Sequence, residues 1–535
     1  MLFKWGCASQ APPTGGPKDI DPPKLIKVEP PSGSIRFKEK TIVFSFDEII
    51  QERNLKKNLI ITPQDEFSEN IEFSIQEKRL IINLKESPRD SITYSLDLSN
   101  CLTDINEKTP IPDLKYTLTA GHSIDSLSIS GRISDALTQK GVKGASVVLA
   151  FLRDSISLIR SSFPYYTRTN EAGYFRFQHL PKDSFLLFSF TDLNANKIME
   201  VDKEAHGFLR DSIFLNKSID SLEVLQVLSD ARPLRKTFAR PYKSYFEIIF
   251  NKPLARFHCQ LIQSEEKLFY HLIGKKKEKI RIYPCQEDSL QLAFEVGDNI
   301  GNILQDSVLL IFSKTNTAKE DFSFEVFPTH QSSWTDPKDS LIFHFSKPVQ
   351  EIQIDSLLIL RRDSSLLSPT EQSLSWNKNK TELRIKEAFE SKDLEKASSS
   401  LGLILKKNAF ISIEQDSSAA RTLLYPILEK EQLGEISGKL NFSTPRTKSL
   451  KSQYIIQLIS QGRLVKEQII SSDGFHFKYI LPETYHFRII WDRNLNKRWD
   501  PGNILLRVPP EAVYLSKTFL IRANWYIENF IITVP

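Results

Sequence analysis

Long apolar runs are missing from this chain: no window holds the ~18 consecutive apolar residues that a membrane-spanning helix needs. Methionine is nearly absent and cysteine rare, at 2 and 4 of 535 residues. Four cysteines cannot staple a chain of this length, and neither their number nor their spacing makes a zinc site. Cys259 and Cys285 fall in one stretch and allow either a disulfide in an oxidising compartment or two separate buried thiols. An excess of one charge is also lacking. Lys and Arg total 71 against 66 Asp and Glu, a formal net charge of +5. The longest basic run, Lys275-Lys276-Lys277, is broken at once by Glu278. Nucleic-acid binding calls for basic residues gathered on one face with aromatics among them, so no nucleic-acid partner is expected.

Catalytic patterns are absent too. There is no Gly-x-Ser-x-Gly elbow and no His-Glu-x-x-His. The 9 histidines are scattered, and Thr14-Gly15-Gly16-Pro17-Lys18 lacks phosphate-loop spacing and sits in a Pro-rich stretch. No catalytic residues are assigned, and the chain reads as non-enzymatic.

What is present is phenylalanine, 35 residues of it, set in short runs that alternate apolar and polar. Ile42, Phe44 and Phe46 make one such run, Leu80, Ile82 and Leu84 another, Tyr94, Leu96 and Leu98 a third. Period-two alternation puts one strand face on a core and the other in water. Turn clusters such as Pro31-Ser32-Gly33 separate the runs, and Asp-Ser pairs recur before apolar residues, as at Asp125, Asp183, Asp220 and Asp306. Asp and Ser bond their own backbone in turns, so each pair is expected to mark a strand start. Helix is expected to be scarce, with the best candidate inside Lys386 to Ala397. Many short strands with frequent turns predict β-sandwiches.

The chain also repeats itself. Ile129-Ser130-Gly131-Arg132-Ile133 returns as Ile436-Ser437-Gly438-Lys439-Leu440. Gly173-Tyr174-Phe175-Arg176-Phe177 returns as Gly474-Phe475-His476-Phe477-Lys478, and Asp192-Leu193-Asn194-Ala195-Asn196-Lys197 as Asp492-Arg493-Asn494-Leu495-Asn496-Lys497. Three anchors in one order mark a modular array. A weaker repeat links Thr41 to Glu48, Tyr245 to Lys252 and Ser340 to Lys347.

Two resemblances follow from these residues. Asp21-Pro22-Pro23-Lys24-Leu25 and Pro30-Pro31-Ser32-Gly33-Ser34, leading into Ile42 to Asp47, resemble the bacterial Ig-like domain of S-layer type. Gly131 to Asp135, Gly144 to Leu149 and Thr169 through Gly173-Tyr174-Phe175 to Leu180 are similar to the carboxypeptidase-regulatory, prealbumin-like sandwich, a pattern that implies a fold and carries no catalytic residues. The expected fold is therefore all-β, a tandem array of Ig-like and prealbumin-like β-sandwiches. Its expected parts are a tether (1–22), an Ig-like domain (23–120), a carboxypeptidase-regulatory-like sandwich (125–225), two Ig-like sandwiches (230–316 and 317–430) and a second carboxypeptidase-regulatory-like sandwich (431–535).

Cys7, with Ala8-Ser9 and a Pro/Gly-rich spacer behind it, is similar to the mature N-terminus of Gram-negative envelope lipoproteins. That resemblance implies a lipid on Cys7, a membrane contact through it, and an envelope location, outer-membrane-anchored. Met1 to Gly6 is too short for a secretory signal, so this reading places the natural start codon further upstream.

One constellation carries chemistry. Asp192, Asn194, Asn196 and Glu200 in the first copy, and Asp492, Asn494, Asn496 and Asp500 in the second, place oxygens at positions one, three, five and nine, as a calcium loop does. Lys197 and Lys497 stand where such a loop has glycine, and position twelve is Lys203 or Asn503 rather than a bidentate Glu. A polar turn after a strand is the favoured reading, and calcium is the one cofactor in question. Trp491, Trp499, Trp525 and Tyr526 offer either a carbohydrate platform or ordinary core packing, the second being favoured because Trp is highly buried on average. The function expected is that of a lipid-anchored spacer, scaffold or adhesion surface meeting an envelope protein or polysaccharide. The alternative is a carbohydrate- or peptide-binding protein serving nutrient uptake.

Overall fold

A computed structural model describes residues 20–153, 163–262, 268–274, 276–283, 289–312, 320–328, 340–360, 365–386, 401–425, 428, 430–443 and 453–534. The helix expected within 386–397 and the Cys7 tether lie outside the described residues, apart from Lys386 and residues 20–22. Strands dominate, and among the described residues the α-helices are the single turns Leu55–Asn58 and Glu66–Glu69. Two compact units divide the chain: one runs to Ser229 and takes in Ile504–Pro509, the other holds Asp230–Asn503 and Pro510–Pro535.

In the first unit the strands are β1 (Leu25–Glu29), β2 (Thr41–Phe46), β3 (Ile50–Glu52), β4 (Ile60–Thr62), β5 (Ile71–Gln76), β6 (Arg79–Leu84), β7 (Thr93–Asp97), β8 (Leu102–Asp104) and β9 (Lys115–Thr119). They form sheets β1-β2-β6-β5 and β4-β7-β9 with a short β3-β8 pair. This is the A-B-E-D and C-F-G arrangement of a constant-type immunoglobulin sandwich. Alternation explains it, since Ile42, Phe44 and Phe46 on β2 and Leu80, Ile82 and Leu84 on β6 all turn into one core.

Next come β10 (Leu127–Asp135), β11 (Ser146–Phe151), β12 (Tyr165–Arg168), β13 (Tyr174–Leu180), β14 (Asp183–Phe190), β15 (His206–Phe208), β16 (Ile213–Leu215) and β17 (Ile219–Val227). They join in the order β12-β11-β14-β15-β17-β10-β13, with β16 on β14. The first and last strands, β10 and β17, run parallel. Asp220, the second residue of β17, marks a strand start as expected, whereas Asp306 corrects that expectation, lying inside the strand Ile303–Leu310. Asp220 accepts the Ser130 hydroxyl across the sheet at 2.6 Å, and Asp306 pairs with Lys236 at 2.6 Å. At Asp306 a partner from the other sheet of the sandwich thus replaces the local turn.

In the second unit, Lys236–Pro241, Phe246–Phe250, Lys279–Tyr283 and Phe269–Ile273 form one sheet, and Arg256–Ile262, Leu290–Gly297 and Ile303–Leu310 another. Phe324–Phe327, Leu341–Phe345, Glu382–Ile385 and Leu374–Trp376 repeat the first of these, while Leu357–Leu360, Leu401–Leu405 and Arg421–Tyr425 repeat the second. Both sets have the A-B-E-D and C-F-G order of β1–β9. The weak repeat at Thr41, Tyr245 and Ser340 is strand B in all three.

The last eight strands reproduce β10–β17. Gly474–Ile480, Gly434–Phe442 and Tyr526–Val534 form one sheet; Arg463–Ile470, Gln453–Ser460, Thr484–Asp492 and Val513–Leu515 form the other, with Phe519–Leu520 on Thr484–Asp492. First and last strands are again parallel, and both copies shift register at the same step, Ile129 to Gly131 and Ile436 to Gly438. One pairing differs. β15 bridges β14 to β17, whereas Val513–Leu515 stops at its equivalent of β14. A Cβ at Gly207 would stand 2.4 Å from the Leu225 carbonyl oxygen. Tyr514, which pairs with Ile489 as Gly207 pairs with Ser189, is too bulky for that approach.

Each set of strands encloses its own hydrophobic cluster. Where the third and fourth cores adjoin, the contact is polar. Arg281 bonds Glu247 at 3.1 Å and grips Glu320 with both terminal nitrogens at 2.7 and 2.6 Å. His271 Nδ1 lies 3.2 Å from the Ser346 carbonyl oxygen. Burial, reinforced by Arg281, pushes the His271 pKa down to about 4.

Two outcomes are expected. A Cβ at residue 438 would lie 1.9 Å from the Phe530 carbonyl oxygen, whereas one at Gly474 meets nothing nearer than 3.9 Å. Gly438→Ala should therefore cost about 1–3 kcal/mol by overpacking and Gly474→Ala little, as chemical denaturation would show. As for pH, the unfolded chain protonates His271 near 6.5 and the folded chain only near 4. The folded state binds fewer protons between those values, so stability is full above 6.5 and falls as pH drops toward 4. Melting curves across that window should show the decline, and His271→Gln should flatten it.

Candidate functional site

The duplicated loops follow β14 and its counterpart, and their first seven residues fold alike. Asp192 Oδ1 accepts the Asn196 amide at 3.1 Å and Oδ2 the Lys197 amide at 3.0 Å. Asp492 takes the Asn496 and Lys497 amides at 3.1 and 2.8 Å. Asn194 and Asn494 accept the same Asn196 and Asn496 amides, while Asn196 and Asn496 accept the next ones on, from Ile198 and Arg498. Ala195, Lys197, Leu495 and Lys497 are left-handed, with φ of 59°, 61°, 61° and 66°. The short Asx side chains hold these turns by capping backbone N–H groups that no strand satisfies.

A residue invisible to the motif completes each loop. Glu204, 1% exposed, accepts the Leu193 amide at 2.9 Å and the Glu200 amide at 3.0 Å. Glu511, 5% exposed, accepts those of Arg493 and Asp500 at 2.8 and 3.2 Å. Burial raises the pKa of both carboxyls, against the pull of these amide bonds. Glu204 follows Asp192 by twelve residues and Glu511 follows Asp492 by nineteen. Those seven extra residues hid the equivalence.

The proposed calcium ligands converge only in part. Asp500 Oδ2 accepts both the Asn494 and Asn496 amide groups, at 2.6 and 2.8 Å, while Glu200 lies 3.5 Å from Asn194. The Asp192 and Asp492 oxygens face the loop's own amides. Among the described residues no cluster of three or more His, Cys, Asp or Glu side chains is placed to hold a metal ion. Lys197 has another task, its ammonium reaching the Leu59 carbonyl at 3.4 Å and the Tyr166 ring at 5.6 Å.

The C-terminal aromatics are spread over two sheets and a loop. Trp491 packs against the core, and Trp499 donates its indole N–H to the Glu511 carbonyl at 3.1 Å. Trp525 and Tyr526 are exposed at the start of the last strand, Trp525 beneath Arg522 at 4.8 Å. Cys101 and Cys259 are free thiols, their pKa values pushed up by burial to about 12 and 11, which keeps both protonated. Cys285 and Cys7 lie outside the described residues.

Sequence reading also passed over two buried lysines at the end of strand B. Lys252 forms an ion pair with Asp298 and donates to the Asp230 and Arg232 carbonyls at 3.0 and 2.5 Å. Lys347 is bound by Glu414 and Asp416 and donates to the Glu320 carbonyl. Burial works against the charged form of Lys347, but the two carboxylates outweigh it and hold its pKa above the ordinary value. These lysines tie the segment leading into each sandwich to its far end. The signal was available in the repeat, where Phe250-Asn251-Lys252 matches Phe345-Ser346-Lys347.

The strand orders define a tandem β-sandwich protein with Ig-type modules. Residues 19–120 match the Bacterial Ig-like domain family. No curated protein matches the chain. Among solved structures, the chain is similar to the Bacillus anthracis TIE protein, at 10% identity over 97% of this chain and 76% of that one, with a TM-score of 0.13. It is also similar to BcpA, the major pilin subunit of Bacillus cereus, at 8% identity over 76% and 99% of the two chains, TM-score 0.14. The human desmocollin-1 ectodomain gives 8%, 93%, 98% and 0.15 in the same terms. Similarity this low carries no argument, and the fold rests on the sheets themselves.

A loop clamped by its own amides loses the same stability with or without metal. Asp492→Ala and Glu511→Ala should each cost about 1–3 kcal/mol through unsatisfied buried groups, equally in chelator and in millimolar calcium. A melting temperature that rises with calcium in the parent chain, and no longer does so in Asp492→Ala, would restore the metal reading.

Proposed function

We propose that the chain is a non-enzymatic, multi-domain envelope protein whose sandwiches space and present binding surfaces, held to a membrane through lipid on Cys7. The observation that carries this reading is the tandem order of five separate cores. Three share one Ig-type strand order, the first of them over residues 19–120 that match a bacterial Ig-like family, and two share another. An array of self-sufficient modules extends reach without requiring any one module to do chemistry. The five divisions given above, and the prealbumin-like type of residues 125–225 and 431–535, belong to the same proposal. So do the buried lysines as joints, since Lys252 and Lys347 bind the residues that lead into their modules.

The anchor is directly testable in the native organism. Fractionation should find the parent chain with membranes and Cys7→Ser in the soluble fraction, and mass spectrometry should find a lipid-modified Cys7 at the mature N-terminus. An unmodified peptide running through Cys7 would defeat the lipid anchor.

A further inference from the structure

Within the first unit a cleft of about 810 Å³ lies between the sheet β4-β7-β9 and the outer face of β13, β10 and β17. That volume falls in the range of small-ligand sites. One wall is a row of hydroxyls, Thr62, Ser95 and Thr117, set side by side by strand register. The Ser95 hydroxyl is buried and has no hydrogen-bond partner among the described residues. The other wall is set by the pairs Arg132–Tyr174 and Ser130–Arg176 across β10 and β13.

Cations on this wall are held in position by rings. Arg132 donates to the Ala172 carbonyl at 3.3 Å and lies 5.9 Å from the Tyr174 ring centre. Arg168 donates to the Tyr166 hydroxyl at 3.1 Å, its guanidinium 5.7 Å from that ring. Arg176, exposed on the same wall, has no side-chain hydrogen bond or ion pair among the described residues. The acids that line the cleft are committed elsewhere or face a cation. Asp220 holds the Ser130 hydroxyl at 2.6 Å, Asp97 accepts the Ser99 amide at 3.0 Å and stands opposite Lys115, and Glu223 stands opposite Arg132.

We propose that this cleft binds an acidic oligosaccharide, a hydroxyl-rich chain that carries carboxylate or sulfate groups. The acid groups would meet Arg176 and Arg132, since a guanidinium fork matches such oxyanions. The sugar hydroxyls would meet the Thr62–Ser95–Thr117 row. Tyr174, 56% exposed, keeps ring surface for a sugar face. A peptide is the weaker fit. Strand addition needs a row of free main-chain groups and sockets for alternate side chains. Here Tyr174 spends its edge on Asn170, at 2.9 Å to both its amide and its carbonyl. Leu96, Phe175 and Phe177 are turned into the cores.

Calorimetry on the full chain tests this with hexagalacturonate, a heparin hexasaccharide, maltohexaose and an alternating Glu-Thr hexapeptide. At least one acidic saccharide should bind at millimolar concentration or below, with maltohexaose weaker by about tenfold or more. Arg176→Ala, at an exposed site, should weaken that binding by about tenfold with an unchanged melting temperature, and Tyr174→Ala should weaken it too. Absence of binding by both acidic saccharides, affinity unchanged in Arg176→Ala, or tighter binding of the peptide would each overturn the proposal. None of these outcomes bears on the Cys7 fractionation, so the envelope reading stands or falls separately.

Discussion

Each duplicated sandwich closes because one residue on its first strand has no side chain. β10 and β17 run parallel, and a Cβ at Gly131 would lie 2.3 Å from the Leu222 carbonyl oxygen; at Gly438 the Phe530 carbonyl oxygen would be nearer still. The register step beside each glycine shows where the last strand bends past it. Everything on that sheet face follows from the approach. It sets Ser130 and Arg132 between the carboxylates of β17 and the Tyr174–Arg176 edge of β13, which is the wall of the cleft. A larger residue at 131 would push the last strand away and misplace both rows.

The buried charges have a different logic. A lysine taken out of water is costly unless its ammonium is fully paired, and Lys252 and Lys347 each gather carboxylate and carbonyl oxygens from chain segments far apart in sequence. They stabilise less than an apolar core of the same size would, but they fix which segment lies where. The first sandwich has Glu48 at that point, and its buried Asp104 instead accepts the amides of Glu107, Lys108 and Thr109 at 2.6, 3.0 and 2.6 Å. The same fold thus satisfies its far end by two routes.

Strand positions and the long repeat were legible because their causes are local. Alternation at Ile42, Phe44 and Phe46 is visible in six residues, and Gly131 and Asp192 are each dictated by backbone geometry that recurs in the second copy. Asp306 misled because a turn-forming side chain finds a partner in the facing sheet only once the sandwich exists. Glu204 and Glu511 escaped because seven extra residues separate the second from its loop. The cleft could not be read at all, since its hydroxyl row and its arginines come from six different strands of two sandwiches.

The parallel pairing of first and last strands also governs how such a module bears tension. A pull on the chain draws β10 and β17 in opposite directions along their common axis. The load falls on the whole ladder from Ile129–Ile219 to Asp135–Gln226 at once, in shear, rather than on one rung after another as in peeling. The second copy offers a ladder of the same kind from Glu435–Tyr526 to Phe442–Val534. β15 further braces the first module by tying β17 to β14. Because Tyr514 denies the second that brace, the C-terminal sandwich is the one that should give way first under force.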